Sequence, residues 1–440
     1  MEKRELILAL SDDFKNFCDD LCLDTTDMET TCGEITKKLN SCYYGLANEK
    51  AEHIYIVGSV GRKTAIVKTS DLDVIFDLPI SMYSKYNAYE SNGQSALLQE
   101  VKEVLKERYP TTDIKGDGQV ISIEFISFTV ELVPAFKQSD DTFKYPDTHN
   151  GGSWKYTDPI AEQDECVFCN VSSCSHYYRF CRMIRKWKSN CGVAIGGLLI
   201  DTLVYNHFVD QNYYTDKTYY DYFDMLKYLF CYFKERNKNQ SYWVAVGSNQ
   251  FVYNKDNGSF IGKADKAYKK FCDCDTDEKK YDAFIYVFGS LFPNTTTPVK
   301  SSYIHSDRNS DDTEEFIENS VPIDIKYSVK IDCRVTQNGF RDFLLSIFLR
   351  EGGFLQHNKS LEFFIASNNV PCPYQIWWKV RNVGSEAKRK NQIRGQIITS
   401  NSDKQREHTS FYGPHFVECY IIKNGVCVAR DRIDVPIGST

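Results

Sequence analysis

A long polar stretch, NTTTPVKSSYIHSDRNSDDTEEFIENS (294–320), separates two parts of the chain that have different residue patterns. It is almost free of apolar residues, which is the composition of a linker. The chain has 440 residues, whereas single domains usually have ~100–200. We therefore predict a first domain at 1–293, a linker at 294–320 and a second domain at 321–440.

The first part mixes helical and strand patterns. Apolar residues at helical spacing predict two helices within 3–50, and further helices are predicted for SALLQEVKEVLKERYP, for much of 175–240 and for a segment that ends in AFIYVFGSLFP. Short apolar runs predict strands at IYIVGSV, at LDVIFDL and within VISIEFISFTVELVP, where Pro134 is expected to close the last strand. The second part instead shows β-branched, alternating segments between turn residues: IDIKYSVKIDCRV, YQIWWKVRNV, QIRGQIITS, HFVECYIIK and VCVARDRIDVPI. These predict a small all-β sandwich.

Composition and charge exclude several classes of protein. The chain has no run of 18 or more apolar residues, and MEKRELILALSDDFKNF lacks the features of a signal peptide, so we predict a cytoplasmic protein without a membrane partner. Its 16 cysteines are then expected to be reduced. Residues 374–440 hold 11 Lys and Arg against 6 Asp and Glu, a balance of +5 that leaves −12 for the rest of the net −7. This balance favours a small phosphorylated ligand over sequence-specific DNA binding.

Two aspartates give the first indication of a site. Asp71 and Asp73 are two residues apart in a predicted strand, so both carboxylates project from one face. Like charges held together repel unless a cation lies between them, and oxygen ligands of this kind suit Mg²⁺, with Mn²⁺ as an alternative. Upstream, the main-chain N–H groups of Gly58 and Ser59 can hold phosphate oxygens. This pattern indicates a site that binds a metal and a polyphosphate together.

A two-metal reaction needs a third carboxylate. Glu131 is the candidate, because FTVELVPAF is an apolar strand in which an ionised side chain is costly unless it serves a ligand. Glu124 is the alternative, and we expect it to face solvent.

Together these motifs resemble the CD-NTases, the family of nucleotidyltransferases that includes cyclic GMP-AMP synthase and its bacterial relatives. The resemblance extends from the N-terminal helices to Pro293. It rests on Gly58-Ser59, Arg62, Thr64, Ser70 to Val74, Glu131 to Phe136, PDTHNGGSWKYTDP (146–159) and FCRMIRKWK (180–188). It implies an α+β fold with a polymerase-beta-like nucleotidyltransferase core and a helical lobe, followed here by the all-β domain. The implied activity joins nucleoside triphosphates into a cyclic oligonucleotide.

The resemblance also implies nucleotide contacts from several further side chains. Arg62, Thr64 and Ser70 belong to its motifs, and Arg185, with Lys186 and Lys188 nearby, stands where relatives commonly carry a lysine that neutralises triphosphate charge. A basic helix face is the alternative reading of that last group. Two departures matter: the family's third acid is most often aspartate, whereas this chain has Glu131, and arginine replaces the helix lysine.

Base recognition is expected from aromatic and polar side chains. Tyr156 is predicted to stack on a base, whereas Trp154 is predicted to belong to the core. Ser241 and Asn249, in SYWVAVGSNQ, are predicted to contact base edges.

A zinc site is an alternative use of CVFCNVSSC, in which Cys166, Cys169 and Cys174 precede His176. The chain offers no second matched pair, and cysteine beside a helix packs as a small apolar residue, so we favour packing.

The C-terminal part resembles the AGS-C domain, a nucleotide-sensing module found after CD-NTases. The residues that match its motif are Trp377, Trp378, Lys379, Asn382, Arg394, His415 and Glu418. An aromatic face beside cations suits a nucleotide ligand. The two tryptophans face opposite ways on a strand, however, so one is expected in the core. His415 and Glu418 are alternatively a structural hydrogen-bonded pair.

The sequence thus predicts a Mg²⁺-dependent enzyme that makes a cyclic di- or trinucleotide second messenger from ATP and other nucleoside triphosphates (GTP, UTP or CTP). Asp71, Asp73 and Glu131 would hold the metals. We expect a role in bacterial anti-phage (CBASS) signalling through a downstream effector protein. The alternatives are a template-independent transferase that acts on RNA or protein, and an inactive nucleotide sensor.

Overall fold

The structure is a computed structural model that describes residues 2–293, 315–337, 342–350, 355–356, 358–382, 394–400, 402–409 and 413–438. The chain divides into two compact units: unit 1 comprises Met1–Lys188 and Val193–Ala283, and unit 2 comprises Ser189–Gly192 and Phe284–Thr440. Most of the predicted linker, 294–314, lies outside the described residues. Among the helices in the described ranges, none combines the length and hydropathy needed to cross a bilayer.

The part of the chain before the predicted linker is mixed α and β, as predicted. Its helices are α1 Glu2–Asp20, α2 Thr26–Tyr43, α3 Gly58–Gly61, α4 Ile80–Asn87, α5 Gly93–Arg108, α6 Pro159–Ser172, α7 His176–Cys191, α8 Gly197–Asp210, α9 Tyr222–Lys234, α10 Ser259–Cys272 and α11 Asp277–Phe288. Its strands are β1 Ile54–Ile56, β2 Asp71–Asp77, β3 Asp113–Asp117, β4 Val120–Glu124, β5 Thr129–Lys137, β6 Phe143–Asp147, β7 Ser153–Thr157, β8 Tyr242–Val244 and β9 Phe251–Tyr253.

One mixed sheet organises unit 1. Its strand order is β1-β2-β5-β4-β3, and β6 extends from β5 to pair with β7. Strands β2 and β5 run parallel, while β1 and β4 flank them in antiparallel pairing. One face of β2 and β5 places Leu72, Val74 and Leu132 in the core formed with α2 and α5. The alternate residues therefore project from the opposite face.

Pro134 does not close the last strand, contrary to the prediction. Strand β5 continues to Lys137, and Pro134 is paired with Phe76 in the parallel register. The antiparallel pairing with β4 ends at the Ile121–Leu132 pair. Pro134 thus lies beyond the part of β5 that pairs with β4. Its missing N–H therefore removes no hydrogen bond between these two strands.

Unit 2 contains a β-sandwich, also as predicted. Its elements are β10 Val329–Thr336, β11 Phe343–Leu344, α12 Leu345–Arg350, β12 Ser360–Asn368, β13 Gln375–Arg381, β14 Ile397–Thr399, β15 Lys404–His408, β16 Gly413–Lys423 and β17 Val426–Ile437. The two sheets have the orders β11-β10-β12-β15 and β14-β13-β16-β17, and apolar residues from both form one core. The sequence analysis missed β12 and β15, because their inward residues are few and their other positions are polar or exposed.

Helix α8 is unusual because it buries polar residues together with its apolar ones. His207 is 3% exposed, and its Nε2 lies 2.8 Å from Tyr214 Oη. Burial, helped by the charge of Arg236, lowers the pKa of His207 to about 4. The imidazole is therefore neutral in the fold at physiological pH.

We predict that His207 makes the fold sensitive to acid. The pKa of His207 in the fold lies below the ordinary value of 6.5. As the pH falls, the imidazole of the unfolded chain therefore takes up a proton before that of the folded chain. About 3 kcal/mol of the free energy of unfolding is lost between pH 6.5 and 4 for this reason. Denaturant unfolding at several pH values should show a shallower pH dependence for His207→Gln than for the wild type. His408→Gln, at an exposed position, serves as the control, and equal slopes for the wild type and His207→Gln would contradict this assignment.

Candidate active site

Three acidic side chains share one face of the central parallel strand pair. Asp71 and Asp73 alternate with buried residues on β2, and Asp73 is paired directly with Glu131 on β5. Asp71 is exposed, whereas Asp73 and Glu131 are partly buried. Adjacent strands lie about 4.8 Å apart, so the strand register brings the three acids that were predicted separately next to one another.

The two aspartates repel each other in this position. The pKa of Asp73 is raised, mainly by burial and secondly by the negative charge of Asp71. The charge of Arg62 opposes this shift. A cation between the carboxylates would relieve this repulsion.

The turn that follows β1 lies directly against Asp73. Gly58 has φ +61°, and a Cβ at this residue would lie 1.8 Å from Asp73 Oδ2. The main chain is held in place by hydrogen bonds from Val57 N to Asp73 O at 2.9 Å and from Arg62 N to Gly58 O at 3.0 Å. We call Gly58–Arg62 the glycine turn. Glycine is required at Gly58 by both its conformation and its close approach to the carboxylate.

These residues fit a divalent cation in their chemistry. They offer carboxylate oxygens on neighbouring strands and a backbone turn that only glycine allows beside them. Among the residues that the structure describes, no group of three or more His, Cys, Asp or Glu side chains is arranged to hold a metal as it stands. The three acids are thus neighbours on the sheet that do not form a closed ligand shell.

The alternative zinc residues are engaged in packing. Cys166 and Cys169 are fully buried, and Cys166 Sγ lies 3.3 Å from Tyr177 Oη. His176 uses both ring nitrogens, with Tyr222 Oη at 2.8 Å and Lys217 O at 2.9 Å.

Ser59 and Ser70 flank the acids. The carbonyl oxygen of Ser59 accepts hydrogen bonds from Thr64 N and Ala65 N at 2.9 and 3.0 Å, and its side chain is partly buried. Ser70 is exposed, and its Oγ donates to Asp71 Oδ1 at 3.1 Å. Glu124, the alternative third acid, is exposed and lies 3.3 Å from Lys115 Nζ, which matches the solvent-facing position expected for it.

Arg62, Thr64 and Arg185 donate hydrogen bonds to two buried carboxylates, Glu162 and Asp201. Arg62 donates to Glu162 Oε2 at 2.7 Å and to Asp201 Oδ2 at 3.0 Å. Arg185 donates to both oxygens of Asp201 at 2.5 and 2.8 Å, and Thr64 Oγ1 donates to the same carboxylate at 3.0 Å. These side chains are all buried.

We call Arg62, Glu162, Arg185 and Asp201 the buried charge network. Burial tends to raise the pKa of Asp201, but the charges of Arg185 and Arg62 outweigh it and leave that pKa lowered. For Glu162 burial prevails over Arg62, and the pKa is raised. Sequence reasoning missed both acids. Asp201 had one signal, since it is a lone acid in the apolar run GGLLIDTLV, where a buried carboxylate requires a cation.

The remaining predicted nucleotide contacts occupy different environments. Lys186 is 7% exposed on α7. Tyr156 is 54% exposed, and Lys144 Nζ lies 5.1 Å from the centre of its ring. Ser241 and Asn249 are exposed. Trp154 packs against the core, as predicted.

An exposed aromatic surface on β8 and β9 was not predicted. Tyr242, Phe251 and Tyr253 are 39%, 54% and 59% exposed, and the ring centres of Tyr242 and Phe251 are 4.2 Å apart. We call the segment Tyr242–Tyr253 the aromatic hairpin. Its loop is tied to β7 because Gln250 Nε2 donates to Tyr156 O at 3.1 Å.

In unit 2, two of the predicted ligand residues are bound to each other and a third lies in the core. Trp378 is the core tryptophan, 1% exposed, with its Nε1 donating to Ser402 O at 2.9 Å. Lys379 Nζ lies 3.1 Å from Glu418 Oε2, and both residues are buried.

The other predicted ligand residues of unit 2 have varied surroundings. Trp377 is partly buried against a second apolar cluster with Ile317 and Val321. Arg394 donates to Glu407 Oε2 at 2.8 Å and is bridged to Asn382, and His415 is 6% exposed.

Comparison with known proteins gives two family matches. Residues 8–170 match the Second Messenger Oligonucleotide or Dinucleotide Synthetase (SMODS) domain. Residues 311–438 match the Adenylyl/Guanylyl and SMODS C-terminal sensor domain (AGS-C). A cyclic GMP-AMP synthase of Escherichia albertii is 23% identical over 456 residues, which cover 95% of this chain and 96% of the relative.

Similar solved structures include E. coli MS115-1 CdnC in complex with HORMA-deltaN (15% identity, TM-score 0.49, 66% of this chain and 98% of the other). A mutant of the Vibrio cholerae di-nucleotide cyclase (DncV) is also similar (11% identity, TM-score 0.45, 67% of this chain and 90% of the other).

Unit 1 is a mixed α and β fold that carries paired acids beside a glycine turn. The chain belongs to the CD-NTase family and has an AGS-C sensor domain on its C-terminal side. Members of this family are nucleotidyltransferases that make cyclic oligonucleotides and generally use a divalent metal.

We predict that Gly58→Ala destabilises the fold by about 3 kcal/mol, because it adds both a left-handed strain and a clash. Gly45→Ala is the matched control: Gly45 has φ +72° but nothing within 4 Å of its Cβ position, so only the strain of about 1 kcal/mol applies. Adding Asp73→Ala to Gly58→Ala should recover about 1 kcal/mol, because the carboxylate is removed while the Cβ of residue 73 still lies 2.9 Å from the new side chain. Equal losses for the two glycine variants in denaturant unfolding would contradict the close approach of Gly58 to Asp73.

Proposed function

We propose that this protein is a Mg²⁺-dependent nucleotidyltransferase that converts ATP and other nucleoside triphosphates into a cyclic di- or trinucleotide. The observation that carries the proposal is the register of the parallel strands, which sets Asp73 beside Glu131 with Asp71 two residues away on the same face. Family membership supports the reaction type.

Asp71, Asp73 and Glu131 would hold the divalent cations, Mg²⁺ or alternatively Mn²⁺. When bound, such ions neutralise phosphate charge and make a ribose hydroxyl a better nucleophile. Glu131 is one methylene longer than aspartate, so its carboxylate reaches further from β5 than the family's usual third acid.

The chain's own contribution is to fix the reacting groups in line. Main-chain N–H groups at Gly58 and Ser59 would hold phosphate oxygens of the donor, with Ser70 Oγ nearby on the side of Asp71. A ribose hydroxyl of one nucleotide then attacks the α-phosphorus of another, a phosphate ester forms, and pyrophosphate leaves. A further attack of the same kind closes the ring.

The side chains first predicted to touch phosphate divide into two groups in this proposal. Arg62, Thr64 and Arg185 hold the glycine turn through Asp201 and Glu162 instead of binding the triphosphate themselves. Lys186 keeps its predicted phosphate role as a proposal.

Base contacts are assigned to the exposed side chains. Tyr156 offers a ring face for stacking, and Ser241 and Asn249 offer polar groups for base edges. A nucleoside triphosphate as the ligand agrees with the reaction type of the family.

A role in CBASS anti-phage defence, with a downstream effector that binds the product, follows from the family resemblance. A nucleotide is the proposed ligand of the AGS-C domain, although the Lys379–Glu418 pair would have to open for either side chain to reach it. The proposed boundaries remain 1–293 for the catalytic domain, 294–320 for the linker and 321–440 for the sensor.

We predict that Asp71→Ala with Asp73→Ala abolishes product but leaves the fold intact, because removal of two repelling carboxylates costs little stability. The full chain is incubated with mixed nucleoside triphosphates and Mg²⁺, and phosphatase-resistant products are identified by mass. Unchanged synthesis by this variant would refute the proposal.

Incubation of the wild type with labelled ATP alone separates a cyclase from a transferase that needs RNA or protein as acceptor. A wild type that forms no product would favour an inactive sensor.

A second pair of variants tests the third acid. Glu131→Gln should lower kcat by about 100-fold or more, as expected when a metal-binding carboxylate is lost. Glu124→Gln, seven residues earlier on β4, should leave kcat unchanged because Glu124 faces solvent beside Lys115. The reverse result would transfer the third-acid role to Glu124.

A further inference from the structure

A line of contacts connects the loop of the aromatic hairpin to the glycine turn. In the hairpin loop, Ser248 Oγ donates to Glu162 Oε1 at 3.1 Å. The other oxygen of Glu162 accepts from Arg62 at 2.7 Å. Arg62 is the last residue of the glycine turn, and Gly58 at the start of that turn lies against Asp73.

The hairpin loop is held on the same helix by its main chain as well. Gly247 has φ +74°, and a Cβ there would lie 2.1 Å from Ala161 O, one residue before Glu162. Val246 N donates to Thr202 Oγ1 at 3.3 Å, next to Asp201 on α8. The loop therefore cannot shift without moving its contacts to α6 and α8.

Helix α6 contacts the region of the glycine turn through a second residue, Gln163. Gln163, which follows Glu162, donates from Nε2 to Ile56 O at 3.0 Å. A Cβ at Gly61 would lie 2.4 Å from the same carbonyl oxygen and 2.7 Å from Gln163 Nε2. Consecutive residues of α6 thus contact the chain just before the glycine turn and at its end.

Stability alone is a weak reason for a charge at Glu162. Burial raises the pKa of this carboxyl, so keeping it ionised is costly, and buried ion pairs are often no more stabilising than well-packed neutral groups. What the pair provides is direction, because a guanidinium held by two carboxylates has a fixed orientation. Because Arg62 is itself part of the glycine turn, fixing its side chain also restrains the main chain of that turn.

We propose that Glu162, supported by Ser248, is a positioning residue of the synthase: it fixes the glycine turn against Asp73 and ties that turn to the aromatic hairpin. The inference rests on the proposed function. It assigns no contact with substrate to Glu162. It implies that a change at the hairpin loop alters catalysis at the glycine turn.

Ser248 offers the mildest test, since Ser248→Ala removes one hydrogen bond and Ser248→Thr retains the hydroxyl. We expect Ser248→Ala to lower kcat/KM about tenfold while lowering Tm by only a few degrees, the size of shift expected for the loss of one hydrogen bond to a charged group. Ser248→Thr should restore most of it, and Glu162→Gln should lower kcat/KM about 100-fold. The assays use the full chain with mixed nucleotides well below Tm.

Glu165→Gln is the matched control on α6. Glu165 accepts a hydrogen bond from Tyr205 Oη at 2.6 Å and has no described contact with the glycine turn, so its kcat/KM should stay at the wild-type value. An active wild type whose Ser248→Ala variant behaves like Glu165→Gln would overturn the positioning role. Activity losses that simply follow Tm, without rescue by threonine, would also overturn it. A wild type that forms no product would instead count against the proposed function.

Discussion

The repulsion between Asp71 and Asp73 on β2 is the constraint on which the site depends. Burial and the charge of Asp71 both raise the pKa of Asp73, and the parallel register adds Glu131 beside it. Carboxylates held together on one face repel one another unless a cation lies between them. The absence of a side chain at Gly58 matters equally, because the glycine turn approaches the Asp73 carboxylate more closely than any other residue would allow.

The glycine turn also belongs to the buried charge network, through Arg62. Arg62 and Arg185 are matched by Glu162 and Asp201, and Thr64 donates to the shared carboxylate. Each ion is buried with a partner of opposite sign, which is the condition under which charges can be buried at acceptable cost. The two arginines that the family resemblance suggested as phosphate ligands are thus paired with buried carboxylates.

Local patterns were sufficient to predict most elements and the acids. Asp71 and Asp73 were found because a strand has a two-residue period, and Glu131 because a charge stands out in an apolar strand. Partners that depend on tertiary structure were not found: Asp201 is 139 positions from Arg62 in the sequence, and no local rule relates them. The predicted end of β5 at Pro134 was wrong because the tolerance of a strand for proline depends on which neighbour remains beside it. In unit 2, charge and motif indicated Lys379 and Glu418 as ligand residues, but their register on β13 and β16 pairs them with each other.

Asp71, Asp73 and Glu131 are proposed to bind divalent cations next to a polyphosphate. The most direct test is a titration of Mn²⁺, followed by electron paramagnetic resonance, into the full chain saturated with a non-hydrolysable ATP analogue. The account predicts about two tightly bound ions per chain in the wild type and loss of at least one in Asp71→Asn. The same stoichiometry and affinity in both proteins would contradict it.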